Sequence, residues 1–193
     1  MVNVGQSASH ANVRQSSPTG IPNLSIFPTN LGWFGLLGHE LLLVSVWAGH
    51  ASADEVRRAA GRRLIKTGAQ SEFVASDWHP ELRQRLERYC LGDPCDFDDV
   101  ALALPRKTEF QKRVLKIARR IPYGKTISYG SLAEKAGFPR AARAVGTVMS
   151  SNCFPIVVPC HRVVAAGGQT GGYTSPQGIS LKLRLLALEG ASE

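Results

Sequence analysis

The 193-residue sequence predicts an α/β N-terminal domain (residues 21–104) followed by a mainly α-helical C-terminal domain (residues 105–193) that holds the outline of a helix-turn-helix. Three observations carry this expectation. Apolar runs at 31–37 and 41–47 flank Gly38-His39-Glu40, the pattern of a β-hairpin. Beyond residue 105 the apolar groups recur at helical spacing instead. The charge divides at the same place. Residues 1–104 hold 9 basic and 11 acidic groups, a net of −2, whereas residues 105–193 hold 14 and 4, a net of +10.

Residues 1–20 are rich in Ser, Gln, Asn and Ala and hold few large apolar groups. Such a segment buries too little surface to offset its ordering entropy, so a flexible tail is expected. After the hairpin, Ser52 followed by Glu55 is a capping-box pair that opens a helix to about Lys66, ending near Gly68. A second helix is expected from near Asp77, with Pro80 in its first turn, to about Cys90. The Asp-rich loop 92–99 and an extended stretch 100–105 lead into the basic half. There Phe110, Val114, Ile117 and Ala118 form one helical stripe over 109–120, which Ile121-Pro122-Tyr123-Gly124 stops. Ser128 caps a short helix carrying Leu132, Ala133 and Ala136, closed by Gly137. Phe138-Pro139 then restarts a helix through Ala141, Ala142, Ala144, Val145, Val148 and Met149. Two short helices joined by a Gly-containing turn are the outline of a helix-turn-helix. Small residues beside Arg140 and Arg143 would let the second helix approach a groove closely. By itself the outline is a weak signal, since many helical pairs bind nothing.

Composition bounds the function. With 44% hydrophobic and 20% charged residues the chain reads as an ordinary globular protein, which excludes a wholly disordered chain, collagen and a coiled coil. The most apolar stretch, 31–49, is interrupted by Gly38, His39 and Glu40 and falls short of the ~20 apolar residues that a spanning helix needs, so no membrane role is expected. No basic segment followed by an apolar core opens the chain, so no secretory signal is expected. Cys90, Cys95, Cys153 and Cys160 are then expected as free thiols in a reducing, cytoplasmic compartment. His79, Cys90 and Cys95 are near one another in sequence, but their spacing fits no common zinc pattern well. The strongly basic half points to a polyanionic partner, nucleic acid first, with a solvated basic face as the alternative.

Chemistry concentrates in Pro155-Ile156-Val157-Val158-Pro159-Cys160-His161-Arg162-Val163-Val164. Its prolines forbid a helix before Cys160, so the thiol sits on an extended or tightly turned backbone. A thiol becomes a useful nucleophile only as thiolate, which needs a nearby base or positive charge. His161 and Arg162 supply candidates, and Glu189 is an acid that could orient the histidine. These residues alone leave two readings equally open: an activated nucleophile, or a buried cysteine beside a satisfied core histidine.

The run Val158-Pro159-Cys160-His161-Arg162-Val163 resembles the active-site signature of the O-6-alkylguanine-DNA alkyltransferases, also called methylated-DNA–protein-cysteine methyltransferases. The surrounding pattern agrees in order and spacing: Phe110-Gln111, Ile121-Pro122-Tyr123-Gly124, Ser128-Tyr129, Leu132-Ala133, Ala141-Ala142-Arg143-Ala144-Val145-Gly146, Met149, Asn152, Gly172-Tyr173, Lys182, Leu185-Leu186 and Glu189-Gly190. The match is continuous over about 105–190, while residues 22–100 resemble the family's variable N-terminal domain only loosely.

The resemblance implies a DNA repair protein with a winged-helix-like C-terminal domain. It would move the alkyl group of O-6-alkylguanine in double-stranded DNA onto Cys160, in one irreversible step per molecule, without a cofactor. His161 would deprotonate Cys160 through a water, with Glu189 fixing the histidine tautomer, and Tyr129 would donate to the guanine ring. Arg143 would fill the gap left by the everted nucleotide, while Ala141, Ala142, Ala144 and Gly146 admit the helix to the minor groove. Arg140, Lys125 and Lys135 are phosphate contacts or solvated charge. Asn152 would tie the turn after the helix to the active-site segment. Val157 and Val158 would offer backbone contacts to the base, and Tyr173 and Thr174 would line the substrate pocket. Arg162 is expected to be structural, pairing across the domain interface. The implied protein is a monomer, with cooperative assembly on DNA left open, in the cytoplasm or, in a eukaryote, the nucleus.

The sequence also departs from the family pattern. Cys153 stands where proline usually follows the asparagine, and Leu115 replaces a tryptophan. The stretch Thr174-Ser175-Pro176-Gln177-Gly178 lengthens the loop that shapes the pocket, which puts tolerance of bulky alkyl groups in doubt. The zinc-binding residues of some members have no match, so no metal is expected. Two rivals remain. Alkyltransferase-like lesion sensors lack the acceptor cysteine that this chain has, and a Cys-His hydrolase would regenerate its thiol and has no use for the DNA-binding pattern.

Overall fold

The computed structural model describes residues 20–67 and 72–191. The expected tail, apart from its last residue, and the expected helix end at Gly68 lie outside the described residues. The elements in chain order are β1 (Asn23–Thr29), β2 (Gly32–His39), β3 (Leu42–His50), α1 (Ala53–Thr67), β4 (Val74–Ala75), α2 (Pro80–Cys90), β5 (Ala101–Leu102), α3 (Glu109–Arg119), β6 (Ile127–Ser128), α4 (Tyr129–Lys135), α5 (Ala142–Ser150), β7 (Val163–Val164) and α6 (Ile179–Leu188). A 3-10 turn, Cys160–Arg162, precedes β7. The N-terminal region is thus built on a sheet and the C-terminal region on helices. No helix among the described residues is long and apolar enough to cross a membrane.

The expected hairpin forms. His39 pairs with Leu42 and Glu40 takes a positive φ of 50° at the turn. Its first strand has a second partner that the sequence did not announce: β1 runs antiparallel to β2 from Asn23↔Gly38 to Thr29↔Gly32. Gly32 closes that turn at φ 112°, where a Cβ would stand 2.8 Å from the His50 carbonyl, so only glycine fits. Short β4 and β5 add in parallel at the edges, giving the order β4-β1-β2-β3-β5.

Alternation along the strands sends side chains to opposite faces. Leu24 and Leu37 share one buried cluster with Ala60 and Leu64 of α1. Phe27, Phe34 and Leu36 share the other with Leu82, Leu86 and Tyr89 of α2. At the start of α1, Ser52 Oγ accepts from Glu55 N at 3.2 Å, while Glu55 accepts from Ala51 N at 3.1 Å, one residue earlier than a regular capping box. Helix α2 begins at Pro80 rather than near Asp77, because proline suits the first helical position, where no N–H is needed.

In the basic half Thr108 and Gln111 cap α3 reciprocally, and its buried stripe includes Leu115, the residue that replaces tryptophan. Ser128 Oγ accepts from Ser131 N at 3.0 Å to start α4, and Gly137 (φ 83°) ends the turn after it. The next helix does not restart at Phe138-Pro139 as expected. Arg140 at φ 69° breaks any continuous helix there, so Ala141 is the cap and α5 begins at Ala142. The larger cluster runs through both halves: the one that holds Phe34 and Tyr89 also holds Val114, Val145, Val158 and Leu185.

Candidate active site

The backbone before Cys160 is a succession of tight turns. Val157 N donates to Pro155 O at 2.9 Å, Val158 N to Phe154 O at 2.7 Å, and Cys160 N to Val158 O at 2.8 Å. Buried Ile156 is held at φ 71°, a costly conformation for a β-branched residue and one that marks functional segments. Asn152, just past α5, pins this segment. Its Nδ2 donates to Val158 O at 2.8 Å and to Cys160 Sγ at 3.1 Å, while its Oδ1 accepts from Phe154 N at 3.0 Å. The Val158 carbonyl therefore serves both Asn152 and Cys160.

Cys160 opens the 3-10 turn and is only 8% exposed. Burial pushes its thiol pKa up, opposed by the Asn152 amide, the charge of Lys182 and the Tyr173 hydroxyl. Lys182 is buried on α6 and donates to Val163 O at 2.7 Å; burial lowers its pKa and a Cys160 thiolate would raise it. The Tyr173 hydroxyl lies beside the sulfur yet has no well-aligned hydrogen-bond partner among the described residues. Tyr129, at the start of α4, is pushed up by burial and by the same thiol. A Cβ on Gly171 would stand 3.0 Å from the Tyr129 hydroxyl, so the loop backbone closes over that ring.

The next residue in the chain, His161, is fully buried and its Nε2 lies 2.8 Å from Glu189 Oε1. Burial opposes ionisation of Glu189, but donors from His161 and Arg162 overcome it and hold the carboxyl at about 2. An ionised carboxylate can only accept, so Nε2 carries the imidazole proton and Nδ1 is the free lone pair. Nδ1 is buried with no hydrogen-bond partner among the described residues. Burial lowers the His161 pKa against the pull of Glu189, leaving a neutral imidazole at pH 7.

Arg162 does not pair across to the N-terminal half as expected. Its Nε and Nη2 donate to Glu189 at 2.9 Å, its Nη1 donates to Ile121 O, and its guanidinium lies over Tyr123, all within the basic half. The N-terminal half reaches this carboxylate through a different residue, Tyr89 of α2, whose hydroxyl donates to Glu189 Oε1. Tyr89 and Lys182 are the residues that sequence reasoning gave no role. Nothing in the local pattern marks the first, and only its place in the family-like pattern marks the second.

The candidates on and before α5 lie on the outer side. Arg143 is exposed in the first turn of α5, Arg140 is exposed on the preceding turn, and Ala141 and Ala142 are half-buried. A Cβ on Gly146 would meet nothing within 4 Å, so this helix face is open. Val157 and Val158 are buried, and Thr174 is exposed on the long loop. Gln177 of that loop donates to Leu31 O at 3.0 Å and Gly49 O at 2.8 Å, so the added residues anchor to the sheet. The Cys153 carbonyl accepts from Val46 N at 2.7 Å and Ser45 Oγ at 3.2 Å, a second tie between the halves.

Comparison with known proteins identifies relatives of the chain. The model of the 6-O-methylguanine DNA methyltransferase DNA-binding domain matches residues 109–191. The methylated-DNA–protein-cysteine methyltransferase of Methanosarcina acetivorans is 47% identical over 111 residues, spanning 58% of this chain and 69% of that protein. The chain belongs to this family. The Mycobacterium leprae methylated-DNA–protein-cysteine methyltransferase is 47% identical over 127 residues, 65% of this chain and 68% of its own. The crystal structure of Mycobacterium tuberculosis OGT in complex with DNA superposes with a TM-score of 0.69 at 33% identity, covering 88% of this chain and 93% of that one. The alkyltransferase likeness thus extends through the sheet region, where the sequence resembles the family only loosely.

Proposed function

We propose that this alkyltransferase repairs DNA by moving the alkyl group of O-6-alkylguanine onto Cys160, once per molecule. The observation that carries the reading is the free, buried Nδ1 of His161, the residue that follows in the chain a thiol already gripped by Asn152. Nδ1, through a water, takes the thiol proton, and Lys182 stabilises the thiolate. Sulfur then displaces at the saturated carbon: the S–C bond forms, the C–O bond breaks, and its electron pair stays on the guanine. Tyr129 donates its hydroxyl hydrogen to the ring and offsets that charge. No cofactor is called for, because the protein itself keeps the alkyl group.

Guanine O-6 is engaged in pairing inside a duplex, so the nucleotide must leave the stack at a cost of a few kcal/mol. Helices α4 and α5 serve as the helix-turn-helix, with α5 in the minor groove and Arg143 in the vacated space. Ala141, Ala142 and Gly146 allow the close approach, and Arg140 contacts phosphate. Tyr173, Thr174, Val157 and Val158 enclose the base once the segment over Tyr129 gives way. The sheet region and the helical region act as two domains meeting near residue 104, in a monomer of the cytoplasm, or the nucleus in a eukaryote.

Incubation with a duplex oligonucleotide carrying O-6-methylguanine, followed by peptide mass spectrometry, tests the reading. The Cys160 peptide gains one methyl group in proportion to lesion; an unchanged peptide overturns it. Arg143→Ala is expected to slow transfer from duplex roughly 10- to 100-fold, as loss of a contact that offsets flipping requires. Its transfer from a free O-6-alkylguanine base stays within about 2-fold, since no stack is opened there. Equal losses on both substrates would remove Arg143 from that role.

A further inference from the structure

The Glu189 carboxylate gathers donors from three separate parts of the chain. Arg162 and His161 come from the 3-10 turn, Gly124 N donates at 3.1 Å from the segment before β6, and Tyr89 arrives from α2, 100 residues away in sequence. Tyr89 is fully buried, and its oxygen also lies 3.2 Å from His161 Nε2, so it touches both members of the His161–Glu189 pair. Its ring is wedged edge-on between Phe97, Tyr123 and His161, which leaves the hydroxyl one place to point. We propose that Tyr89 is a positioning residue for alkyl transfer: its hydroxyl, supplied by the N-terminal half, holds Glu189 so that the His161–Glu189 pair keeps Nδ1 free of a proton under more acidic conditions. This rests on the reading of His161 as the base.

The sign follows from the pair behaving as one titrating unit. A donor to the carboxylate favours the form of the pair with one proton fewer, wherever the added proton would sit. Burial and the Glu189 charge push the Tyr89 hydroxyl far above its ordinary pKa, so it is a donor at every working pH. Arg162 from the 3-10 turn and Lys182 from α6 also face the pair and oppose protonation; the hydroxyl of Tyr123 faces Glu189, and that of Tyr173 faces Tyr89 and Cys160. Tyr123 bonds instead to Gly92 O at 2.9 Å and Leu188 O at 3.0 Å, and so packs nearby without touching either acceptor.

Tyr89→Phe keeps the ring and removes the donor. The full chain is followed by two measurements: NMR titration of the His161 imidazole nitrogens, and the pH profile of methyl transfer to Cys160. The pH at which the pair takes up a proton is expected to rise by roughly one unit, the share of one donor among several, and the acid limb of the transfer profile rises with it. Tyr123→Phe, the comparison variant, lowers thermal stability and leaves the imidazole titration in place. The proposal fails if the Tyr89→Phe imidazole titrates with the wild type, or stays neutral to the same pH. It also fails if transfer falls equally at all pH, or if Tyr123→Phe moves the titration as far. A wild type that leaves Cys160 unmodified would instead strike the function, and the imidazole titration would still decide the place of Tyr89.

Discussion

Cys160→Ser is expected to abolish repair, with a loss of at least about 10⁴-fold, the scale on which removal of a nucleophile is felt. The hydroxyl can take over the hydrogen bond from Asn152 Nδ2, now 3.1 Å from the sulfur, so the segment keeps its shape. What is lost is the nucleophile. A thiol raised by burial still lies within reach of a histidine base and a buried ammonium, whereas a serine hydroxyl lies far above both. Displacement at saturated carbon also favours soft, polarisable sulfur. Incubation with O-6-methylguanine duplex followed by intact-mass measurement is expected to find no methylated protein. Affinity for the same duplex, read by fluorescence anisotropy, stays within about 2-fold, because the exchanged atom is buried and makes no phosphate contact. A methylated serine variant would show that another group accepts the alkyl.

The parts of the fold that were legible are those announced by local chemistry. Gly38-His39-Glu40 gave the hairpin, Pro80 the start of α2 to within three residues, and Ser128 with Gly137 the limits of α4. Strand β1 was not legible, because Asn23, Ser25 and Pro28 dilute its pattern and its partner is what makes it a strand. The two-residue strands carry no period at all. Helix α6 is a different failure. Ile179, Leu181, Leu183 and Leu185 alternate with Ser180, Lys182 and Arg184, a strand-like period of two. The segment is nevertheless helical, because it buries Leu181, Leu185 and Leu186 and brings charged Lys182 inside to the Val163 carbonyl, leaving Ile179 and Leu183 exposed. Tertiary contact decided that element, not periodicity.

The site divides along the same line. Cys160 and His161 stand side by side in the sequence and could be weighed together. Glu189 could be named from the residues as an acid able to orient the histidine, Asn152 was legible only through the family-like pattern, and Tyr89 was not legible at all. Arg162 was misplaced as well. Its cation was expected to pair across the domain interface, yet one of the four acidic residues of the basic half is kept inside for it.

That internal acid supports the second large prediction. Glu189→Gln is expected to slow transfer roughly 10²- to 10⁴-fold, as loss of a histidine-orienting carboxylate does elsewhere, and to destabilise the fold by about 3–5 kcal/mol. The carboxylate offers two acceptor oxygens to Tyr89, His161, Arg162 and Gly124, and its side chain has no exposed surface. An amide offers one acceptor and one donor group. Its NH₂ must face a guanidinium or a backbone N–H, or else the imidazole must turn to the other tautomer and surrender the free Nδ1 lone pair. Arg162 is then left as a buried, unpaired cation. For a chain of this size that loss lowers the melting temperature by roughly 6–20 °C. The pH dependence identifies its source. Glu189 is held at about 2 in the folded protein against an ordinary 4.5, so its contribution is fully present above about 4.5 and drains away as the pH falls towards 2. The gap in unfolding free energy between wild type and Glu189→Gln, measured by urea titration, therefore narrows over that window. A gap that stayed constant down to the lowest pH would mean that the carboxylate charge is not what Arg162 and His161 depend on.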